Sequence, residues 1–450
     1  MTQFSRPSAA PGTPRAQVLD ILGAALDAVD PAQAIRRAVR REGNVLHVAG
    51  QEYDLARFRR VLVIGGGKAG ASMAGAVEEV VGDRIAAGWV NVKYGYALPT
   101  RRIHVHEAGH PVPDAAGIEG TQRMIDLLRG ATADDLVLSL ISGGGSALMT
   151  LPVPGVTLHD IQTLTQALLR SGAPIGAINA LRKHLSQIKG GQLARLAHPA
   201  TVIALILSDV VGSPLDVIAS GPTVPDPTTF ADAQAVIERY GIADEVPESI
   251  RRHLADGIAG RVADTPQAGD PVLARVQNVI VADNARAAQA AVERAGALGF
   301  HTLLLSTFVE GEAREVAHVL AALAKEVHAS GQPIPRPACL VLGGETTVTV
   351  RGPGQGGRNQ ELALAAVQAI RGLDGVIIAS LATDGSDGPT DAAGGLVDGT
   401  TLARGEALGL SAAAALAAND AYPYLAQVDD LLMTGPTNTN VNDLMLVTVI

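Results

Sequence analysis

The chain has 450 residues, 35 Lys and Arg against 45 Asp and Glu, a formal net charge of −10, and 47% hydrophobic but only 18% charged residues. This balance excludes a disordered or fibrous chain and, with no basic tract, a nucleic-acid partner; the length predicts two domains of roughly 200 residues each. A lone cysteine, Cys339, excludes an internal disulfide, and no apolar run forms a signal segment or reaches the ~18 residues of a membrane helix, so a soluble cytoplasmic protein is expected.

Residues 1–15 read as a disordered tail. Val18, Leu19, Leu22, Leu26, Val29 and Ile35 then fall on one helical face over residues 15–41, with an interruption near Pro31. From residue 61 the pattern changes to short apolar runs, each followed by glycine and a helical stretch, which predicts a parallel sheet with crossover helices.

The first run, Val61 to Ile64, enters GGGKAG at 65–70, where Gly65, Gly67 and Gly70 satisfy the GxGxxG spacing of dinucleotide-binding turns. The next run, Val90 to Val92, is followed by Lys93 rather than the acid that would hold a ribose, which counts against NAD. A lysine inside the turn, Lys68, joins the backbone of Gly66 and Gly67 at a helix N-terminus and suits phosphate. The loop is not a Walker A motif, because Ala69 follows the lysine. The plain alternative is a tight turn carrying a solvated lysine.

His104, His106 and His110 in HVHEAGHP suggest zinc but lack a fourth ligand pattern, so a structural or substrate-contacting role is the better reading. The run Leu136 to Ile141 ends in Ser142, Gly143, Gly144, Gly145 and Ser146, a turn able to gather N–H groups and two hydroxyls around a phosphate or carboxylate. Lys189 in IKGG is a further phosphate candidate. Val202 to Leu207 leads to Asp209, placed where nucleotide-binding sheets carry a carboxylate for magnesium.

Pro, Asp and Thr concentrate between residues 222 and 271, and the boundary is set near residue 236, giving domains 16–236 and 237–450. In the second, Cys339 to Leu342 leads into GGET with Glu345, and GQGGRNQE places Arg358 where a glycine-rich loop meets a helix. A guanidinium there suits a carboxylate clamp or the bridging of transferring phosphoryl oxygens. Val376 to Leu381 ends in a turn with Thr383 as a nucleotide contact, Asp384 as a second metal candidate and Asp387 beyond; an Asx-turn is the alternative for these acids. The final run is Leu444 to Ile450. Five apolar runs thus end in polar glycine turns, at the strand ends where open α/β sheets bind ligands.

Joined in order, GGGKAG, EAGHPVPD (107–114), SGGGSAL, LRKHLSQIKGGQLA (181–194), SDVVGSPLDVIASGPTVPD (208–226), GGETTV, GGRNQELAL and ATDGSDGPTDAAGG resemble the class II glycerate kinases over nearly the whole chain. The resemblance implies a Rossmann-like α/β/α N-terminal domain, a second α/β domain containing a MOFRL region at about 336–446, and a cleft between the two. It implies transfer of the γ-phosphate of ATP to the C2 hydroxyl of D-glycerate with Mg2+, by a monomer or homodimer. The family's important lysine and arginine match Lys68 and Arg358. Asp209 joins them as a catalytic candidate. Two rival expectations are a hydroxypyruvate reductase using NAD(P)H and a nucleotide sensor without turnover.

Overall fold

After a three-stranded antiparallel ribbon, Val39–Glu42 (β1), Val45–Val48 (β2) and Gln51–Asp54 (β3), the apolar runs become a six-stranded sheet. Its strands are Arg60–Gly66 (β4), Ile85–Lys93 (β5), Ile103–Ala108 (β6), Asp135–Ile141 (β7), Thr201–Leu207 (β8) and Val276–Ala282 (β9), in lateral order β6-β5-β4-β7-β8-β9. The pairs β6/β5, β5/β4, β4/β7 and β7/β8 are parallel, as the continuous apolar runs predict. Chain order reverses between β4 and β7, which makes this a doubly wound sheet with its switch point there. Leu62, Ile64, Val137 and Val202 pack against Met124, Ile125 and Leu128 of helix Ala115–Leu128 and against Leu193 and Ala197 of helix Gln192–Ala197. Asp114 starts the first of these helices by accepting the Gly117 N–H at 2.9 Å.

The computed structural model describes residues 4–7 and 9–450. The chain divides into Pro31–Val281 and a second unit that joins the residues up to Asp30 with Ala282–Ile450. The division therefore falls well beyond the expected position near residue 236. Helices Phe230–Arg239 and Glu248–Ile258 place Phe230, Ile237, Ile250 and Leu254 in one cluster with Leu164, Leu168, Ile178 and Leu181, so the Pro-rich stretch is a connection within the first unit.

The second unit has its own six strands: His301–Glu312 (β10), Ala338–Thr347 (β11), Val376–Ala382 (β12), Gly394–Asp398 (β13), Leu431–Leu432 (β14) and Asp443–Val449 (β15). Their order is β10-β11-β15-β12-β13-β14. This sheet is mixed rather than parallel, because β15 runs antiparallel to both β11 and β12. Asp443 at the start of β15 consequently lies opposite Gly344 and Ala382, at the carboxyl ends of its neighbours.

The amino-terminal helix, Pro14–Ala28, is capped by Thr13 and belongs to this second unit. Arg294 bonds Asp20 (Nε to Oδ1, 3.1 Å), and Arg15 reaches Asp398 and Asp430, each at 2.5 Å. Part of the expected disordered tail is thus ordered: Arg6 bridges to Met433, and the helix begins at Pro14. Residues 1–3 and 8 of that tail lie outside the described residues. The helical reading of 15–41 also ends early, because Val39–Glu42 pairs with β2. Among the described residues no helix is long and apolar enough to cross a membrane.

Candidate active site

In the first unit the two glycine turns meet at the switch point. Gly67 has φ +146°, and a Cβ there would lie 2.1 Å from Ser142 Oγ, so the turn admits only glycine. That closeness lets the backbones lock together: Lys68 N donates to Gly143 O (2.8 Å), Ala69 N to Ser142 Oγ (3.1 Å), and Ser142 N to Gly66 O (3.3 Å). Asp209 abuts the same turn, for a Cβ on Gly143 would sit 2.2 Å from its Oδ2. Ser146 Oγ lies 2.9 Å from Ser220 Oγ, and Gly145 packs on Ala219. The structure therefore gathers Gly66, Gly67, Lys68, Ser142 to Ser146 and Asp209 around one strand edge.

The three histidines separate. His104 and His106 lie against Trp89, with ring centroids 4.0 and 5.5 Å away, and His106 Nε2 is 2.9 Å from Ala116 O. His110 faces the glycine turn, its Nε2 being 2.9 Å from the Cβ position of Gly144, with Lys68 Cγ 3.6 Å from the same point. Burial, then the charges of Lys68 and Lys93, lower the His110 imidazole to about 4, so it is neutral at physiological pH.

His110, Gly144 and Ser146 form one wall of a cavity of about 580 Å³, and Arg182 and Lys189 also line it. Burial, then Arg182, lower the Lys189 ammonium to about 7. Burial lowers the Arg182 guanidinium as well.

In the second unit Arg358 opens helix Arg358–Ala366. Its Nε and Nη2 donate to Asp443 Oδ2 and Oδ1 at 2.6 and 3.0 Å, and its Nη1 donates to Glu345 Oε1 at 3.0 Å. Asp387 caps this helix: Oδ1 accepts Asn359 N at 3.2 Å and Oδ2 accepts Gln360 N at 2.9 Å. Asn359 Nδ2 also reaches Asp443 Oδ1 at 3.0 Å. Burial pushes the Asp443 carboxyl up, to about 6, against the opposing pull of Arg358. Burial opposes the Arg358 charge too, but Asp443, Glu345 and Asp387 outweigh it and raise the guanidinium.

Asp384 and Thr383 occupy the turn after β12. Asp384 Oδ1 accepts the Ser386 N–H at 3.1 Å, the Asx-turn that was its alternative reading. The Thr383 hydroxyl donates to Asn442 O at 2.7 Å and accepts from Val441 N at 2.8 Å, which braces the chain entering β15. The candidates thus form two groups: Lys68, Asp209 and Lys189 with the glycine turns in the first unit, and Arg358, Glu345, Thr383 and Asp384 in the second. Among the described residues no three His, Cys, Asp or Glu side chains cluster as a metal cage.

Two family descriptions match this chain: "Domain of unknown function (DUF4147)" over residues 17–255 and "MOFRL family" over residues 338–443. A glycerate 2-kinase of Pyrococcus horikoshii is 43% identical over 432 residues, covering 96% of both chains. The chain belongs to the glycerate kinase family. A D-glycerate 2-kinase of Thermotoga maritima is also 43% identical, over 95% of this chain and 96% of its own. A glycerate kinase crystal structure from Thermotoga maritima superposes with a TM-score of 0.88 at 42% identity, covering 97% of this chain and 99% of that one. A relative from Agrobacterium vitis carries the name "Putative hydroxypyruvate reductase" and is 44% identical over 87% of each chain.

Within this glycerate kinase family member, motif reading missed Asp443, which holds Arg358 in place, and Arg182, which shares the cavity with Lys189. Asp443 immediately precedes the last apolar run, a position that attracts attention only once that strand is known to run backwards.

Proposed function

We propose that this chain is a glycerate 2-kinase, which moves the γ-phosphate of ATP to the C2 hydroxyl of D-glycerate and yields 2-phosphoglycerate and ADP. The observation that carries the reading is the lysine turn locked to the serine-glycine turn at the sheet's switch point, with Asp209 beside it. Full-length likeness to proteins named glycerate 2-kinase supports it.

Phosphoryl transfer needs positioning and charge neutralisation more than covalent chemistry. In this reading Gly66, Gly67 and Ser142 to Ser146 cradle phosphate oxygens. Lys68 and Arg358 neutralise charge on the transferring group, and Glu345 and Asp443 fix the direction of Arg358. Asp209 takes the proton of the C2 hydroxyl or joins the metal site. As the new oxygen–phosphorus bond forms, the bond from the γ-phosphorus to the bridging oxygen breaks and ADP departs. The oxygen donors of Asp209 and Asp384 fit Mg2+, which binds through few carboxylates plus substrate phosphates and waters. Such an ion would neutralise phosphate charge. Thr383 acts from behind, through the chain that carries Asp443. A cytoplasmic location belongs to the same reading.

The Agrobacterium vitis name favours a second reading, reduction of hydroxypyruvate with NAD(P)H. The end of β5, Asn91-Val92-Lys93, offers no carboxylate for a ribose. One assay separates the two: Mg-ATP and D-glycerate, with product fed to enolase and pyruvate kinase without phosphoglycerate mutase. A signal identifies 2-phosphoglycerate. No signal, together with hydroxypyruvate-dependent NAD(P)H oxidation, would overturn the kinase reading.

A further inference from the structure

The cavity beside the glycine turns is lined by two cations, the buried Lys189 and the half-buried Arg182, that have no protein counter-charge among the described residues. Arg182 projects from helix Ile175–His184, and Lys189 lies a few residues beyond it. Among the described residues neither side chain forms an ion pair or side-chain hydrogen bond with an acid, and no Asp or Glu lines the cavity. The next residue on the helix makes the contrast: Lys183 is buried as Lys189 is, but its Nζ lies 3.2 Å from Asp226 Oδ1 and 3.5 Å from Asp216 Oδ2. This unit therefore supplies carboxylates to a lysine whose task is structural. Two like charges left together in a low-dielectric recess are costly unless something brings the opposite charge. The depressed ammonium of Lys189 reflects that cost.

We propose that Arg182 and Lys189 together form the receptor for the carboxylate of the acceptor, an inference that rests on the reading of this chain as an enzyme acting on a small hydroxy acid. A guanidinium and an ammonium lining one recess supply donors for the two oxygens of a carboxylate. Gln162, Thr165 and Gln166 line the recess and offer donors and acceptors to hydroxyl groups. The same lining includes Gly144, whose Cβ position is 3.6 Å from Lys68 Cγ, so an acceptor anchored by its carboxylate in this recess is held near the lysine turn.

The test is direct binding without nucleotide. D-Glycerate is titrated calorimetrically into the parent protein, Lys189→Met and Arg182→Met, with sodium chloride at equal ionic strength and the uncharged amide of glycerate as controls. Each variant should weaken glycerate binding by roughly 30-fold or more, the scale of losing one partner of a buried charge pair, and should erase the preference for glycerate over its amide. Steady-state KM for D-glycerate should rise likewise while KM for ATP stays within about twofold. Lys189→Met should melt no lower than the parent in the absence of ligand, because it removes an uncompensated charge, and should lose the stabilisation D-glycerate gives the parent. Lys189→Arg, which keeps the charge, covers the case of a poorly folded methionine variant by retaining most of the binding.

Unchanged glycerate binding in folded variants overturns the receptor, as does a rise in KM for ATP alone. These outcomes are separable from failure of the kinase reading. If the parent makes no phosphoglycerate but glycerate binding still depends on Arg182 and Lys189, the receptor stands and the transfer reaction falls.

Discussion

The wholly buried carboxylate of Asp443 holds two nitrogens of Arg358, Nε at 2.6 Å and Nη2 at 3.0 Å, while the arginine side chain as a whole remains 31% exposed. The arginine is thus aimed rather than neutralised. Its remaining nitrogen, Nη1, reaches Glu345, so carboxylates from two adjacent strands fix one guanidinium plane.

Replacing Asp443 by Asn keeps the shape and removes the charge. Turnover should fall about 10- to 100-fold with the circular dichroism unchanged, because a bidentate charge-assisted pair sets both the plane and the direction of the arginine. Arg358→Lys should not substitute for the parent, since an ammonium cannot make the paired contact. Turnover within about twofold of the parent in Asp443→Asn would mean that the aiming is dispensable.

Gly143 offers a way to displace the Asp209 carboxylate without replacing it. A methyl group at Gly143 falls 2.2 Å from Asp209 Oδ2, the end of a side chain, so the carboxylate has to shift to admit it. Gly143→Ala should therefore reproduce the kinetic loss of Asp209→Asn while shifting Tm by no more than ~2 °C, about 1 kcal/mol for a unit of this size. A collapsed Tm, or normal turnover, would contradict the placement of Asp209 against this turn.

Asp135 governs acid stability of the first unit. Hydrogen bonds from Arg60 lower its carboxyl well below the usual range, burial opposes this, and Arg59 adds to the lowering. Its charge is thus favoured in the folded state, and the resulting stability is present above pH ~4 and lost as pH falls towards the depressed folded value. Asp135→Asn should cost about 2 kcal/mol at pH 7, modest because Arg59 is 55% exposed. Urea melts at pH 7 and pH 3 should show the difference between parent and variant narrowing at the lower pH. A constant difference would assign the effect to packing.

Asp430 is buried between Arg15 at 2.5 Å and Arg404 at 2.8 Å. Arg15→Ala should destabilise the second unit by about 2–3 kcal/mol, because half of a buried charge's compensation disappears. Hydrogen exchange should accelerate in β12 to β15 and remain unchanged in β4 to β8. Loss of protection in β4 to β8 would contradict the assignment of the amino-terminal helix to the second unit.

The doubly wound sheet and its glycine turns were legible because parallel strands announce themselves twice, by an apolar run and by the glycine turn at its carboxyl end. Lys68, Ser142 and Asp209 follow from that single rule. Asp443 escapes it: β15 runs antiparallel, so the residue at the ligand-facing edge comes before the run instead of after it. Arg182 escapes for another reason, because helical spacing does not reveal which of two neighbouring cations, Arg182 or Lys183, has an acid waiting for it. The boundary near residue 236 failed because composition marks where a chain turns, whereas the division depends on where Phe230 and Ile250 find apolar partners.

The position of β15 also constrains how the polypeptide can be made. The last strand in chain order fills the middle of its sheet, between β11 and β12, and the first helix, Pro14–Ala28, packs with that same unit. On the ribosome, residues 31–281 can condense as they emerge, while the helix already synthesised ahead of them must wait for residues beyond Ala282, among them helix Asn284–Ala297, to cover its apolar face. A chain lacking residues 443–449 would keep its first unit folded and leave a gap at the centre of the second unit's sheet, a natural substrate for chaperones and proteases.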